Sequence, residues 1–307
     1  MPSIPNRTLG FAACALASMF WGCGFFFGKI ALAEMNVGAM VFYRFLFATL
    51  GLLPLVLTHR PGLNAREWRT LLFASALGVP IQFLLQFKGL SLTTVSHASL
   101  MVGTMPVILA LGAITFAHER LPLLGWIALA ASTTGAALIA LSGSRHATPG
   151  GPSLAGDLLV VLSLAIAMVW VLANKSLMAR HSAVVVTAYG LISGALMLAV
   201  LVPLLYGLPP VHGISLKAWL ASAAAGIFCT ASSTFLWNWG LGRVPASQAG
   251  VLLNFEPLIG SLLGVSLLHD HLGPTAWIGG LLILAAAITL TTQSDVTAQL
   301  ESLPVEL

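Results

Sequence analysis

Ten apolar runs, each about long enough to cross a bilayer as a helix, follow one another along this chain with only short breaks between them. Divided at charges, Gly and Pro, they fall near 8–31, 36–58, 68–88, 93–117, 122–142, 155–177, 184–206, 217–240, 246–268 and 273–293. Only helices and closed barrels satisfy every backbone group in hydrocarbon, and long continuous runs, unlike ten-residue alternating segments, exclude the barrel. The expected fold is an all-α polytopic membrane protein with ten transmembrane helices. Composition points the same way, with 58% of the 307 residues hydrophobic and 7% charged, where a soluble domain carries about 25% charged residues. A surface so poor in charge needs the lipid bilayer as its solvent, and the length leaves no room for a sizeable soluble domain.

Lys and Arg stand singly between the runs, a pattern of membrane topology and not of nucleic-acid binding. With the N-terminus inside, Arg7, Arg60, Arg66, Arg69, Arg120, Lys175, Arg180 and Arg243 fall on the inside. Lys29, Lys88, Arg145 and Lys217 fall outside, and Arg44 lies within a span. Eight against four places both termini in the cytoplasm. The run after Arg7 continues past Trp21 with no small-residue cleavage pattern, so it reads as the first span and not as a secretory signal. Cys14, Cys23 and Cys229 form no C-x-x-C pair, and the "HDH" of His269–His271 lacks further ligands; no metal or cofactor is expected.

An internal repeat is the most informative pattern. At an offset of 151, Trp68 meets Trp219, Gly89-Leu90 meets Gly240-Leu241, and Ser96 meets Ser247. Pro106 then meets Pro257, His118-Glu119 meets His269-Asp270, and Trp126-Ile127 meets Trp277-Ile278. At an offset of 146, Gly10, Lys29 and Tyr43 meet Gly156, Lys175 and Tyr189. The linker SGSRHATPGGPS separates the halves, giving a first repeat over 1–147, a second over 148–294 and a disordered cytoplasmic tail over 295–307. Five spans per half is odd, so the second repeat enters the membrane from the opposite side. Two inverted five-helix repeats point to a transporter whose substrate sits near the midplane between them.

The stretches MPVILALGAITFAHERLPLLGWIALAASTTGAALIAL and FEPLIGSLLGVSLLHDHLGPTAWIGGLLILAAAITL both resemble the end of an EamA repeat. Each has a proline early in the fourth helix, an acidic residue before a Leu at its exit, and a Gly-rich fifth helix. MFWGCGFFFGKIAL resembles the first helix of such a repeat. The chain is thereby similar to the drug/metabolite transporter superfamily, and within it to bacterial exporters of aromatic amino acids and methyl viologen. The second repeat departs from the pattern at Ala167, opposite Trp21, and at Asp270 in place of the commoner Glu. The resemblance implies a bacterial inner membrane, export by alternating access, and an amino acid or aromatic cation as the small-molecule substrate. With the second inverted repeat already fused in the chain, a monomer can be complete.

Polar groups within spans mark where a substrate can sit. Gln82 and Gln86 lie one turn apart on one helix face, and their repeat equivalents are Ser233 and Trp237. Helix-to-helix hydrogen bonding is the competing reading for all of them. Trp21, Phe25 and Lys29 form one stripe, and Trp170 and Asn174 form another, either as packing or as cavity wall. In the ninth span Asn254 and Glu256 precede Pro257, where a kink is expected, as at Pro106 in the fourth. Glu256 can bind a substrate amine, carry a proton, or be neutralised by a neighbour such as Arg44. His97, opposite Gln248 in the repeat, is a further binding candidate. No H-E-x-x-H, paired intramembrane Asp or Ser–His–Asp set stands out, so the chain is not expected to be an enzyme. Nor does it show the repeated charge ring or filter loop of a channel.

Overall fold

Side-chain caps set where the membrane helices begin. The computed structural model describes residues 4–105, 107–108, 111–112, 123–144, 151–178, 180–241, 243–244 and 252–301. In it Asn36, Asn64, Thr94, Ser182 and Ser215 each accept a hydrogen bond from an amide in the first turn of the helix that follows. Those amides have no partner within the helix, which is why short polar residues stand there between apolar runs. The helices are α1 (Ile4–Leu32), α2 (Val37–Thr58), α3 (Ala65–Ala76), α4 (Gln82–Leu92), α5 (Val95–Val102) and α6 (Leu123–Ser144). The second half supplies α7 (Leu154–Met178), α8 (Ala183–Tyr206), α9 (Leu216–Gly226), α10 (Ser233–Leu241), α11 (Phe255–Leu267) and α12 (Pro274–Glu301).

Among the described residues, six helical stretches are long and apolar enough to cross a membrane: Thr8–Leu32, Val37–Thr58, Ala65–Leu92, Leu154–Met178, Ala183–Tyr206 and Leu216–Gly240. Leu123–Ile139, Phe255–Leu267 and Pro274–Thr289 are shorter apolar helices. The outward faces are themselves apolar, with Leu57, Phe73, Leu123, Leu204 and the repeat-related pair Trp126 and Trp277 exposed. Such a surface suits hydrocarbon and not water. The chain is an all-α, multi-pass membrane protein.

Two features depart from simple straight spans. Leu77–Ile81 joins α3 to α4, and Ile227–Ser232 joins α9 to α10, as segments wound in the wider π form. Pro80, which has no amide proton, sits in the first; in the second the Thr230 hydroxyl donates to the Ala225 carbonyl at 2.9 Å. The two segments stand at the 151-residue offset, and π turns inside helices recur at functional sites. The expected kink in the ninth span is also displaced. Leu253 and Asn254 form a turn, α11 starts at Phe255, and Pro257 lies in the first helical turn, where a missing amide proton costs little. Gly103 and Thr104, at the 151-residue offset from Asn254 and Phe255, form the matching turn after α5. Pro106 lies outside the described residues.

Glycines allow the halves to approach closely at several crossings, and two of these are related by the repeat. A Cβ on Gly89 would stand 2.7 Å from the Gly156 carbonyl oxygen, and one on Gly240 would stand 2.8 Å from that of Gly10. Helix α4 thus crosses α7 as α10 crosses α1. The second crossing lies at the start of α1, whereas the Lys29 ammonium, near the end of α1, donates to the Leu90 and Thr93 carbonyls beside the first. At 1.5 Å rise per residue the ends of α1 marked by Gly10 and Lys29 are roughly 28 Å apart. Equivalent contacts at opposite ends of one helix are the geometry of an inverted repeat.

Candidate functional site

Helix α1 runs between the two crossings and carries much of the site. Its Trp21 ring meets Trp237 of α10 with centroids 5.4 Å apart, one ring from each half. One turn further along α1, Phe25 stacks on Phe87 at 6.2 Å, and Phe87 stacks on Phe83 at 6.1 Å. The i, i+4 spacing of Phe83 and Phe87 makes one aromatic face on α4. Over that face lies Arg44 of α2, whose guanidinium carbon is 5.0 Å from the Phe83 ring and 5.1 Å from Phe87.

Arg44 is 3% exposed. Its Nε donates to the Thr230 hydroxyl at 2.7 Å and its Nη2 to the Cys229 carbonyl at 3.1 Å. Both partners belong to the π segment, whose altered winding leaves a carbonyl and a hydroxyl turned toward the cation. Gly24 lets the guanidinium rest against α1, since a Cβ there would stand 3.3 Å from Nη2. Glu256 is half-buried and acts on Arg44 electrostatically, with no ion-pair contact between the two. The sequence marks Arg44 as a lone cation inside an apolar run; the partners that hold it follow from the π winding, for which only Pro80 in the sister segment gave a signal.

Glu256 and Asn254 line a cavity of about 30 Å³ with Val102, Gly103, Met105 and Leu253. It forms where the two interrupted helices meet, and it has room for about one water molecule. Gln82 and Gln86 are both buried on α4 next to the aromatic face, and the Gln82 Oε1 atom has no hydrogen-bond partner. Ser233 is buried and donates to the Thr230 carbonyl at 3.2 Å. Trp237 alone of the Trp237-Asn238-Trp239 run faces Trp21: Asn238 donates to the Thr187 hydroxyl, and Trp239 lies 3.6 Å beneath the Arg243 guanidinium.

Other candidates have different surroundings. Trp170 packs onto Gly78 in the first π segment, with Asn174 half-buried one turn further along α7. His97 is 2% exposed, and its Nδ1 lies 3.0 Å from Oδ2 of Asp157, a carboxylate with no exposure at all. The other Asp157 oxygen accepts from the Thr93 hydroxyl at 2.7 Å. Asp270 accepts from the Ser96 amide at 2.9 Å beside them. His97 is therefore part of a closure between the halves at the Lys29 end. Asp157 escapes a reading that weighs span interiors, because it stands only a few residues beyond the linker. Among the described residues no group of three or more His, Cys, Asp or Glu is placed to hold a metal ion.

Comparison with known proteins bears on the whole arrangement. The model of the EamA-like transporter family matches residues 8–141 and again 154–292. An "uncharacterized transporter" of Archaeoglobus fulgidus is 25% identical over 281 residues, covering 91% of this chain and 95% of the relative. A "probable terminal-alkyne amino-acid exporter" of Streptantibioticus cattleyicolor is 25% identical over 295 residues, 92% of this chain and 93% of its own. A crystal structure at 20% identity shares the fold, with a TM-score of 0.65 over 98% of this chain and 100% of the other.

Proposed function

From the premise that the chain belongs to the EamA-like transporter family, and is a multi-pass membrane transporter and not an enzyme, we propose that it exports amino acids with aromatic or apolar side chains by alternating access. The observation that supports this reading is a run of aromatic side chains along α1. The Trp21–Trp237 pair joins the halves and the Phe25–Phe87–Phe83 stack follows it along α1, with Gln82 and Gln86 on the helix of the stack and Asn254 and Glu256 at the small cavity. Large ring faces with a few amides and one carboxylate suit a substrate that is apolar along its side chain and charged at one end. The amino-acid exporter among the relatives supports the substrate class. The proposed setting is a bacterial inner membrane with both termini in the cytoplasm, which makes the Lys29 end the outer one. The Thr93–His97–Asp157 contacts then close the path to the outside.

The test is flux into proteoliposomes of labelled Phe and Trp against small polar amino acids, with and without an imposed pH gradient. Saturable, competable flux of Phe or Trp is the expected result, and its response to the gradient distinguishes proton coupling from facilitated exit. Absence of flux for every amino acid would overturn the reading. One observation favours a second substrate class, aromatic organic cations: ring faces attract cations, and Glu256 is a carboxylate at the cavity. Methyl viologen flux that falls more than amino-acid flux in Glu256→Gln would establish it.

A further inference from the structure

We infer that Arg44 is an anion subsite of the transport path and takes the carboxylate of the substrate. The inference rests on the amino-acid reading for the identity of the whole substrate, but the site itself stands on the geometry. A guanidinium presents five N–H donors. The hydrogen bonds to Thr230 and Cys229 use one on Nε and one on Nη2. A cation inside a membrane span needs a partner, and none of the ion pairs among the described residues involves Arg44. Two aromatic faces and a wall of small residues hold the fork still without neutralising it. That leaves the Nη1 side for a planar, two-oxygen anion, the shape that a guanidinium matches best.

The second half of the chain shows that the fold does not require this cation. At the offsets of the repeat, Gly190 stands for Arg44, Val79 for Thr230, Gly78 for Cys229 and Trp170 for Gly24. There the same π segment packs with no charge: Val79 meets Gly194 of α8, and the Trp170 ring covers Gly78. A packing solved once with Gly, Val and Trp has been built a second time around an arginine and the hydroxyl that orients it. Glu256, close enough to act on Arg44 but not touching it, can then receive the ammonium of a zwitterion whose carboxylate lies on Arg44. A substrate with both charges bridges a pair that the protein leaves apart.

The experiment is binding to the purified full chain in nanodiscs by calorimetry and thermal shift, with three probes: phenylalanine, 3-phenylpropionate and phenylethylamine. Wild type is expected to bind the two carboxylates and to bind the amine at least tenfold more weakly than phenylalanine. Arg44→Gln should weaken both carboxylates at least 30-fold, and Arg44→Lys by less, because the charge remains while the fork is lost. Thr230→Val keeps Arg44 and guards against failure of the arginine variants to fold; it should weaken both carboxylates by about tenfold. Equal binding of amine and carboxylate by wild type, or unchanged carboxylate binding in folded Thr230→Val and Arg44→Gln, would overturn the subsite. Phenylalanine flux that persists with Arg44→Gln binding unchanged sinks the subsite and leaves the export reading intact. Arg44-dependent binding of 3-phenylpropionate without flux of any amino acid does the reverse.

Discussion

The two repeat-related glycine crossings have the same backbone and opposite chemistry. At the Lys29 end, Gly89 meets Gly156, and the residues that seal the crossing are Thr93 and Asp157, joined at 2.7 Å and extended by His97. At the other end Gly240 meets Gly10, and the repeat offsets put Val244 in the place of Thr93 and Phe11 in that of Asp157. There Val244 is buried against Cys14, with Phe11, Trp237 and Leu252 around them. The glycines teach that close approach is a property of the repeat. The sealing residues teach that the two closures differ, with a buried carboxylate and its hydrogen bonds at one end and apolar side chains in the matching places at the other. A closure of the first kind opens only if water or another group takes over its partners.

The sharpest way to break the comparison is to remove the carboxylate. Asp157→Ala leaves the buried His97 ring and Thr93 hydroxyl without their partner, and each buried polar group left unsatisfied costs about 1–3 kcal/mol. The expected result is the largest drop in thermal unfolding temperature of any single change at either crossing. The double change His97→Leu with Asp157→Leu should recover most of that loss, since replacing both members by apolar groups is often nearly neutral. No recovery would mean that the Lys29 end cannot close as the other end does.

Gly89→Ala and Gly240→Ala test the shared backbone. Each new methyl would fall within 3.0 Å of a carbonyl oxygen on the facing helix, an overpacking that costs about 1–3 kcal/mol. Similar losses of unfolding temperature at both ends are expected; a large difference between them would deny that the crossings are equivalent. A smaller effect, about 1 kcal/mol, is expected from the near-isosteric swap Thr93→Val, which deletes one hydrogen bond to Asp157. Val244→Thr buries a hydroxyl in apolar surroundings, so it should destabilise by a comparable amount. An effect of Thr93→Val alone would show that the apolar closure tolerates polarity.

Much of this was legible in the sequence, for reasons that differ by residue. The all-α fold follows from apolar runs between capping residues, and the glycine crossings stand at the very offsets that reveal the repeat. Trp21 and Trp237 each stand out in the sequence as aromatic candidates, one in each half, while their contact belongs to the fold. What the sequence conceals are pairings between halves. Thr93 and Asp157 are 64 residues apart, and neither one alone announces the other. Arg44 reads as a stray charge until the π segment turns Cys229 and Thr230 toward it. Winding of that kind depends on tertiary packing and not on local propensity, and Thr230 is as ordinary in an apolar helix as Val79 is in its counterpart.

The gentlest probe lies outside the spans, in the loops. Glu34, between α1 and α2, accepts hydrogen bonds from the amide and hydroxyl of Ser215 at the start of α9, at 2.6 and 2.7 Å. Those bonds, the hydroxyl first, hold its carboxyl below the usual range, with Lys217 adding to the effect. A carboxylate held low in the folded state binds protons more readily once unfolded, so its contribution is present above the ordinary value of about 4.3. It is lost as pH falls through the folded value. The unfolding temperature of the wild type should therefore exceed that of Glu34→Gln at pH 6, and the gap should close as the pH is taken toward 3. Glu34 is exposed, so the gap is expected to be small. A gap that widened on acidification would show that this loop is held by something other than the charged form of Glu34.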